Sequence, residues 1–295
     1  GMRLRGNGRC MWGESTREEE VDTRMNGAKA DMLFTDPPYG MKKESEGVEN
    51  DNQNLSQLLD FNKMWIPLSF DALTETGSWY CWGIDQPLMD IYANIIKPMI
   101  ATHKATFRNL ITWDKGVAQG QNSPGQRMYS PADEKCLFVM CGVQGFNNNA
   151  DNYFEGWEPV RSYLDKEMQR CGGSKNWKAA LGNEMGKHYF TKSQWTFPTR
   201  EAYEKLQKFG REYGAFKREY EELKREYEEL KREYYSTRAY FDNTHDKMTS
   251  VWHFPPTSST EIDHTGGHAT PKPIAQRARA TRPRPQTAKT INAPP

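Results

Sequence analysis

Through the first half of the chain, short apolar runs alternate with stretches of helical spacing. No other feature constrains the fold as strongly. Met32-Leu33-Phe34 in AKADMLFTDPPYG, SWYCWG (78–83), FRNLITWDKG (107–116) and KCLFVMCG (135–142) have the length and apolar density of buried strands. Between them, LSQLLDFNKMWIPLSFDAL (55–73) and PLMDIYANIIKPMI (87–100) carry apolar residues three and four apart. Strands separated by helices of this length predict an α/β core, a mainly parallel sheet with helices on both faces. The 295 residues suit one large domain or two ordinary ones.

The pattern changes near Trp157. Residues 160–190 hold two helical stretches joined by Cys171-Gly172-Gly173-Ser174, with Ser174 placed to cap the second. A third stretch, 199–209, follows Pro198. Three short helices with a glycine turn read either as a helix-turn-helix that meets DNA or as an insertion that only packs. An internal repeat follows: KREYEEL (217–223), KREYEEL (224–230) and KREYYST (231–237). Tyr213, Phe216, Tyr220, Leu223, Tyr227, Leu230 and Tyr234 form a heptad seam, predicting a helical arm over 213–237. The seam serves a homodimer, toward which the reading leans, or packs on its own domain. KMTSVWHF (247–254) returns to strand character. The final stretch, basic and without periodicity, reads as disordered.

These shifts divide the chain into a core of 8–156, a helical insert of 157–210, an arm of 211–240, a return to the core over 241–276, and a basic tail of 277–295. A net charge of +1 gives no global nucleic-acid signature, so any such surface is local. No apolar run approaches the roughly 18 residues of a membrane span. Five Cys, an odd number without a CxxC pair, and six scattered His predict neither a disulfide framework nor a metal site. A reducing, cytoplasmic setting follows.

The chemistry concentrates at Asp36-Pro37-Pro38-Tyr39-Gly40, directly after an apolar strand. The exocyclic amine of adenine is a poor nucleophile, because its lone pair is delocalised into the ring. A carboxylate and a backbone carbonyl, each accepting one N–H, draw that nitrogen toward tetrahedral geometry and free the lone pair for in-line attack. Two prolines hold such a corner rigid. A neighbouring ring stacks on a base that has left the duplex. Asp36, the Pro37 carbonyl and Tyr39 fit these roles. An Asp36 carboxylate held in an ion pair, or turned from any cleft that admits a purine, would contradict this reading.

The motif resembles the catalytic corner of the amino-methylating DNA methyltransferases, with Asp first as in their adenine-N6 group. Further segments are similar in order: Trp12-Gly13-Glu14-Ser15, Gly77-Ser78-Trp79-Tyr80, Ile111-Thr112-Trp113-Asp114-Lys115, Asp133-Glu134-Lys135-Cys136-Leu137 and Ser250-Val251-Trp252. His268-Ala269-Thr270-Pro271-Lys272-Pro273 resembles the family's His-Pro-Thr-x-Lys-Pro element near the cofactor. Gly186-Lys187-His188-Tyr189-Phe190 and Ser193-Gln194-Trp195 look like a helix-turn-helix of phage-type members. The order is that of the permuted β class, and the resemblance covers 8–275. The class places a Phe-x-Gly-x-Gly cofactor loop after the Lys-Pro element, and this sequence contains none. A truncated or frame-shifted gene, or a partner chain supplying the missing half, accounts for that.

The resemblance implies an incomplete Rossmann-like methyltransferase core with an inserted recognition domain and a coiled-coil arm. It implies methyl transfer from S-adenosylmethionine to adenine N6 in double-stranded DNA, in a bacterial, phage or prophage setting of the restriction-modification kind. Asp36, Pro37, Pro38 and Tyr39 are its catalytic candidates. Glu14, Asp36, Thr270 and Lys272 are the cofactor-side candidates. Lys175, Lys178, Lys187, His188, Lys192 and Gln194 lie on or beside the expected recognition helix, where Lys reaches phosphates and Gln194 reads an adenine edge. The plainer reading of those six is a solvated polar face. Cytosine-N4 methylation is the same chemistry. A remnant that binds DNA or self-associates without catalysis is the reading from another class.

Overall fold

The computed structural model describes residues 2–5, 8–11, 13–40, 52–116, 125, 127–144, 155–173, 176–236, 238–239, 241, 243, 247–257, 272–281 and 290–293. They fall into two compact units. One comprises Gly1–Gln144 and Ala239–Pro295, the other Gly145–Arg238.

The first unit is built on a six-stranded sheet. Its strands are β3 (Ala30–Thr35), β4 (Leu73–Gly83), β5 (Ala105–Asp114), β6 (Asp133–Cys141), β7 (Val251–His253) and β8 (Thr290–Ala293), in the spatial order β7-β5-β6-β4-β3-β8. A separate antiparallel pair, β1 (Met2–Arg5) and β2 (Gly8–Met11), precedes them, followed by helix α1 (Glu18–Met25). β3 runs parallel to both β4 and β8, and β5 runs parallel to β7. β6 is antiparallel to both of its neighbours, β4 and β5. The sheet is therefore mainly parallel, as expected, with β6 alone running against the other five strands. Residues 115–132 have no helical spacing from which to build a crossover, and without one consecutive strands pair antiparallel. This topology brings the carboxyl ends of β3, β4, β5 and β7 to one edge, together with the start of β6.

Helices α2 (Leu55–Asp71), α3 (Asp85–Ile91) and α4 (Lys97–Ala101) cover one face. Asn54 opens α2 with a capping box: its side chain accepts from Gln57 N while Gln57 returns a bond to Asn54 N. Between α3 and α4 the turn widens to a π-helix over Tyr92–Ile96. Pro98 has no N–H to give the carbonyl of Asn94, so the ladder loosens just ahead of it. The core on this face joins Trp65, Ile66 and Phe70 of α2 to Trp79 and Cys81 of β4 and Leu137 and Val139 of β6. The indole of Trp79 donates to Ser69 Oγ (2.9 Å) and that of Trp65 to Asn62 Oδ1 (2.8 Å), so both polar atoms are buried with a partner.

The opposite face packs Met32, Phe34, Tyr80, Trp82, Trp113, Cys136 and Phe138 under Trp252, Phe254 and Ala280. Ala280 belongs to α9 (Ile274–Thr281), named α9 after α5–α8 of the second unit. The second half of α9 and all of β8 lie in 277–295, where composition predicts disorder. β8 instead takes the free edge of β3, whose unpaired backbone groups accept a strand.

The second unit holds α5 (Glu158–Arg170), α6 (Trp177–Leu181), α7 (Arg200–Gly210) and α8 (Tyr220–Ser236), with a 3-10 turn over Glu184–Tyr189. The heptad arm is shorter than its seam predicts. Gly214 sits at φ +63 and closes the short turn Arg211–Tyr213, and α8 begins only at Tyr220. The seam is also filled from within the unit. Leu223 is fully buried, Phe197 stacks on Tyr227 at 4.6 Å, and Trp157 meets both Tyr227 and Tyr234. Of the two readings of the seam, these contacts favour packing on its own unit, although Tyr213 stays exposed.

Candidate active site

β3 is buried at every position but Asp31 and ends where Pro37 and Pro38 cannot donate to a ladder. Side chains alternate across a sheet, so Asp36 continues the row of Met32 and Phe34, on the face of Tyr80 and Trp82. Pro37 and Pro38 are buried. Gly40 completes the corner at φ +73, where a Cβ would meet Leu58 Cδ1 at 2.7 Å and the Gln53 carbonyl at 2.8 Å. Only glycine fits that backbone against α2.

Four charged side chains and one phenol converge beside this corner. Lys272 Nζ lies 2.8 Å from Asp36 Oδ2 and 3.0 Å from Glu134 Oε2, and it donates to Tyr39 Oη at 2.8 Å. The Tyr39 hydroxyl in turn donates to Asp36 Oδ1. Lys115 Nζ holds the other Glu134 oxygen at 2.5 Å. The side chains of Lys115, Lys272, Glu134 and Asp36 are 11%, 12%, 14% and 17% exposed. Two ammonium groups thus face two carboxylates nearly out of water. Removing one member of such a pair costs about 3–5 kcal/mol, because it strands its partner.

The electrostatics follow from burial and neighbours. Burial by itself would raise the Glu134 carboxyl, but the ammonium groups of Lys272 and Lys115 outweigh it and hold the group below its ordinary value. Burial would lower Lys272, yet Asp36 and Glu134 raise it. Burial, then the charges of Asp36 and Glu134, keeps the Tyr39 phenol well above its ordinary range. Tyr39 is therefore a neutral donor, and Lys272 a cation, throughout the physiological range.

The sequence reading had Asp36 open toward a cleft. The structure pairs it with Lys272, the condition set out above as contrary. Asp36, Tyr39 and Lys272 are brought together. Glu14 is engaged locally: its backbone N–H donates to Glu20 Oε2 (2.6 Å) and its Oε1 accepts from Thr16 N (3.2 Å). Thr270 and Lys175 lie outside the described residues, as does Ser174. A cavity of about 590 Å³ on the α3 face, lined by Leu88, Tyr92, Phe107 and Leu137, includes none of the four motif residues.

The second helical stretch of the insert is shorter than its spacing predicts. α6 stops at Leu181, because Gly182 turns left-handed at φ +71 and Asn183 caps the 3-10 turn that follows. Lys178 is exposed at the start of α6. Lys187, on the 3-10 turn, and Lys192 and Gln194, after it, are also exposed. His188 is 7% exposed, with Nδ1 3.2 Å from the Ser193 carbonyl, so it packs inward.

Glu134 and Lys115 are absent from the sequence-based site, although both stand in segments that carry the resemblance. The signal was a charge at the rim end of a strand: Lys115 just past β5, Glu134 at the start of β6. Trp113 and Glu134 are register partners, which places both charges at one edge.

The family described as DNA methylase, N6_N4_Mtase, matches residues 30–279, a span that includes Asp36, Lys115, Glu134 and Lys272. The chain belongs to this N6/N4 DNA methylase family. Among curated proteins the chain is similar to the Type II methyltransferase M.BamHI of Bacillus amyloliquefaciens, 24% identical over 207 residues. That match covers 69% of this chain and 42% of the relative, so the chain spans less than half of the relative's length. Among solved structures, M1.HpyAVI is 17% identical at a TM-score of 0.29, covering 45% of this chain and 54% of that one. The M1.HpyAVI-SAM complex is 16% identical at a TM-score of 0.28, covering 48% and 60%.

Proposed function

We propose that the chain transfers a methyl group from S-adenosylmethionine to the exocyclic amine of a base in double-stranded DNA, adenine N6 before cytosine N4. The observation that carries this reading is the Asp36-Pro37-Pro38-Tyr39 corner at the carboxyl edge of the sheet, inside the span that matches the N6/N4 family. Open α/β sheets bind their ligands at this edge. Asp36 supplies an acceptor for one amine N–H, and Pro37 and Pro38 hold the turn that aims it. Tyr39, hydrogen-bonded to Asp36, is fixed beside the base plane. Adenine is favoured over cytosine because the motif opens with Asp.

The residues present fit a cationic methyl donor. Asp36 and Glu134 form an acidic rim, and Lys272, which now neutralises it, suits a carboxylate. Glu14 and Thr270 join this assignment by resemblance alone. When bound, S-adenosylmethionine supplies an electrophilic methyl carried on sulfur. DNA contact is assigned to the helical unit, through the exposed Lys178, Lys187, Lys192 and Gln194, with Lys175 carried from the sequence reading. The insert and the arm belong to the same assignment, as a recognition segment inserted in the core. A place beside a restriction enzyme is part of this reading.

One observation favours a second reading. The Lys272–Asp36 pair closes the acceptor that methylation needs, as in a chain that binds DNA without modifying it. Incubating the protein with labelled S-adenosylmethionine and duplex DNA, then digesting to nucleosides, separates the two. N6-methyladenine supports the first reading. Retained DNA binding with no methylated base supports the second.

A further inference from the structure

A lysine ammonium and an adenine amino group share one property that matters at this corner: both are nitrogens that present N–H donors. Lys272 Nζ donates to three acceptors at once, Asp36 Oδ2 (2.8 Å), Glu134 Oε2 (3.0 Å) and Tyr39 Oη (2.8 Å). It also stands 5.0 Å from the centroid of the Tyr39 ring. Asp36 and Tyr39 are assigned above to the substrate base, Asp36 to its amine and Tyr39 to its plane. Glu134 is not, and it has an anchor of its own in Lys115 at 2.5 Å. The arrangement therefore contains a second carboxylate, fixed from behind, on the far side of the same nitrogen position.

We propose that Asp36, Glu134 and Tyr39 form an amine-binding site in which the Lys272 ammonium is a tethered stand-in for the substrate amine, and that Glu134 is the positioning residue that keeps Lys272 when the amine enters. This rests on the reading of Asp36 and Tyr39 given under the proposed function. An entering amino group takes the N–H contacts to Asp36. Lys272 leaves Asp36 but stays on Glu134, so those two charges remain paired, while Asp36 exchanges its ion pair for a hydrogen bond from the neutral amine. Lys115 holds Glu134 in place through the exchange. On this proposal the resting ion pair at Asp36 is the closed state of the site.

The test uses the full chain with neither DNA nor methyl donor. Lys272→Ala leaves two carboxylates and a phenol around an empty nitrogen position. Methylammonium chloride brings a small cation with N–H donors. Tetramethylammonium chloride, at the same concentration, brings the same charge and no donor. In Lys272→Ala, methylammonium at ten times its Kd is expected to raise Tm by about 2 °C over tetramethylammonium. The wild-type protein shows no difference between the salts, because its tethered ammonium already fills the site. Lys272→Ala combined with Glu134→Gln loses the difference. Should Lys272→Ala not fold unaided, its refolding yield in the two salts asks the same question. Equal responses of Lys272→Ala to both salts, or an equal preference for methylammonium in the wild type, overturn the proposal. Methyl transfer is scored separately. A protein that methylates DNA but shows no amine preference loses this inference alone. One that shows the preference and never methylates loses the proposed function alone.

Discussion

The Lys272 ammonium lies 2.8 Å from the Asp36 carboxylate, and the two residues come from opposite ends of the sheet unit. Asp36 stands at the exit of β3, and Lys272 just before α9. That contact couples the first catalytic candidate to the last segment of the family match.

Asp36→Asn keeps the size of the side chain and an oxygen for Tyr39, but removes the charge that draws on an amine. Methyl transfer to DNA is expected to fall by about a hundredfold or more in kcat, on the scale of losing one preorganised electrostatic contact. Binding of DNA measured by fluorescence anisotropy stays within about twofold. Unchanged kcat in the variant contradicts the role given to Asp36.

Glu134 gives stability a dependence on acid. Its carboxyl lies below the ordinary value in the folded protein, so between the two values the unfolded chain binds more protons. The contribution is complete above the unfolded value. It falls away as pH drops from there through the folded value. Denaturant midpoints taken from pH 7 downward should show a steeper acid limb in the wild type than in Glu134→Gln. Parallel limbs would show that Glu134 is not held by its two lysines.

Gly40→Ala places a Cβ against Leu58 and the Gln53 carbonyl at a positive φ. The strain is about 1–3 kcal/mol, read as a lower urea midpoint with an unchanged m-value. A neutral Gly40→Ala would mean that the corner is not packed against α2.

In the helical unit, Leu223→Ala removes a fully buried side chain from the seam of α8. The expected loss is about 2–5 kcal/mol. Because the seam is covered by Trp157, Phe197 and their neighbours, the sedimentation coefficient of the protein at rest should not change. A drop in mass on substitution would mean that the seam joins two chains.

The parts legible in the sequence were those set by local rules. The apolar run of β3 and the two prolines located the corner, and the spacing of Leu58, Asn62, Trp65 and Ile66 matches the buried face of α2. Long-range pairing was not legible. Nothing near Lys272 in the chain names Asp36 as its partner, and Glu134 reads as one acid among many until β6 is known to run antiparallel. Glycine misled the helical reading at two places, Gly182 and Gly214, where left-handed backbone ended elements that apolar spacing would have carried on. The basic stretch from Arg277 onward differs in the other direction. Its composition reads as disorder, but α9 buries Ala280 and β8 finds an open strand edge.

Nucleoside analysis of DNA incubated with the protein and labelled S-adenosylmethionine tests the central claim most directly. The account predicts label in N6-methyladenine from the wild type and its loss in Asp36→Asn. Label that persists in Asp36→Asn, or its absence from a folded wild-type protein that binds DNA, would contradict it.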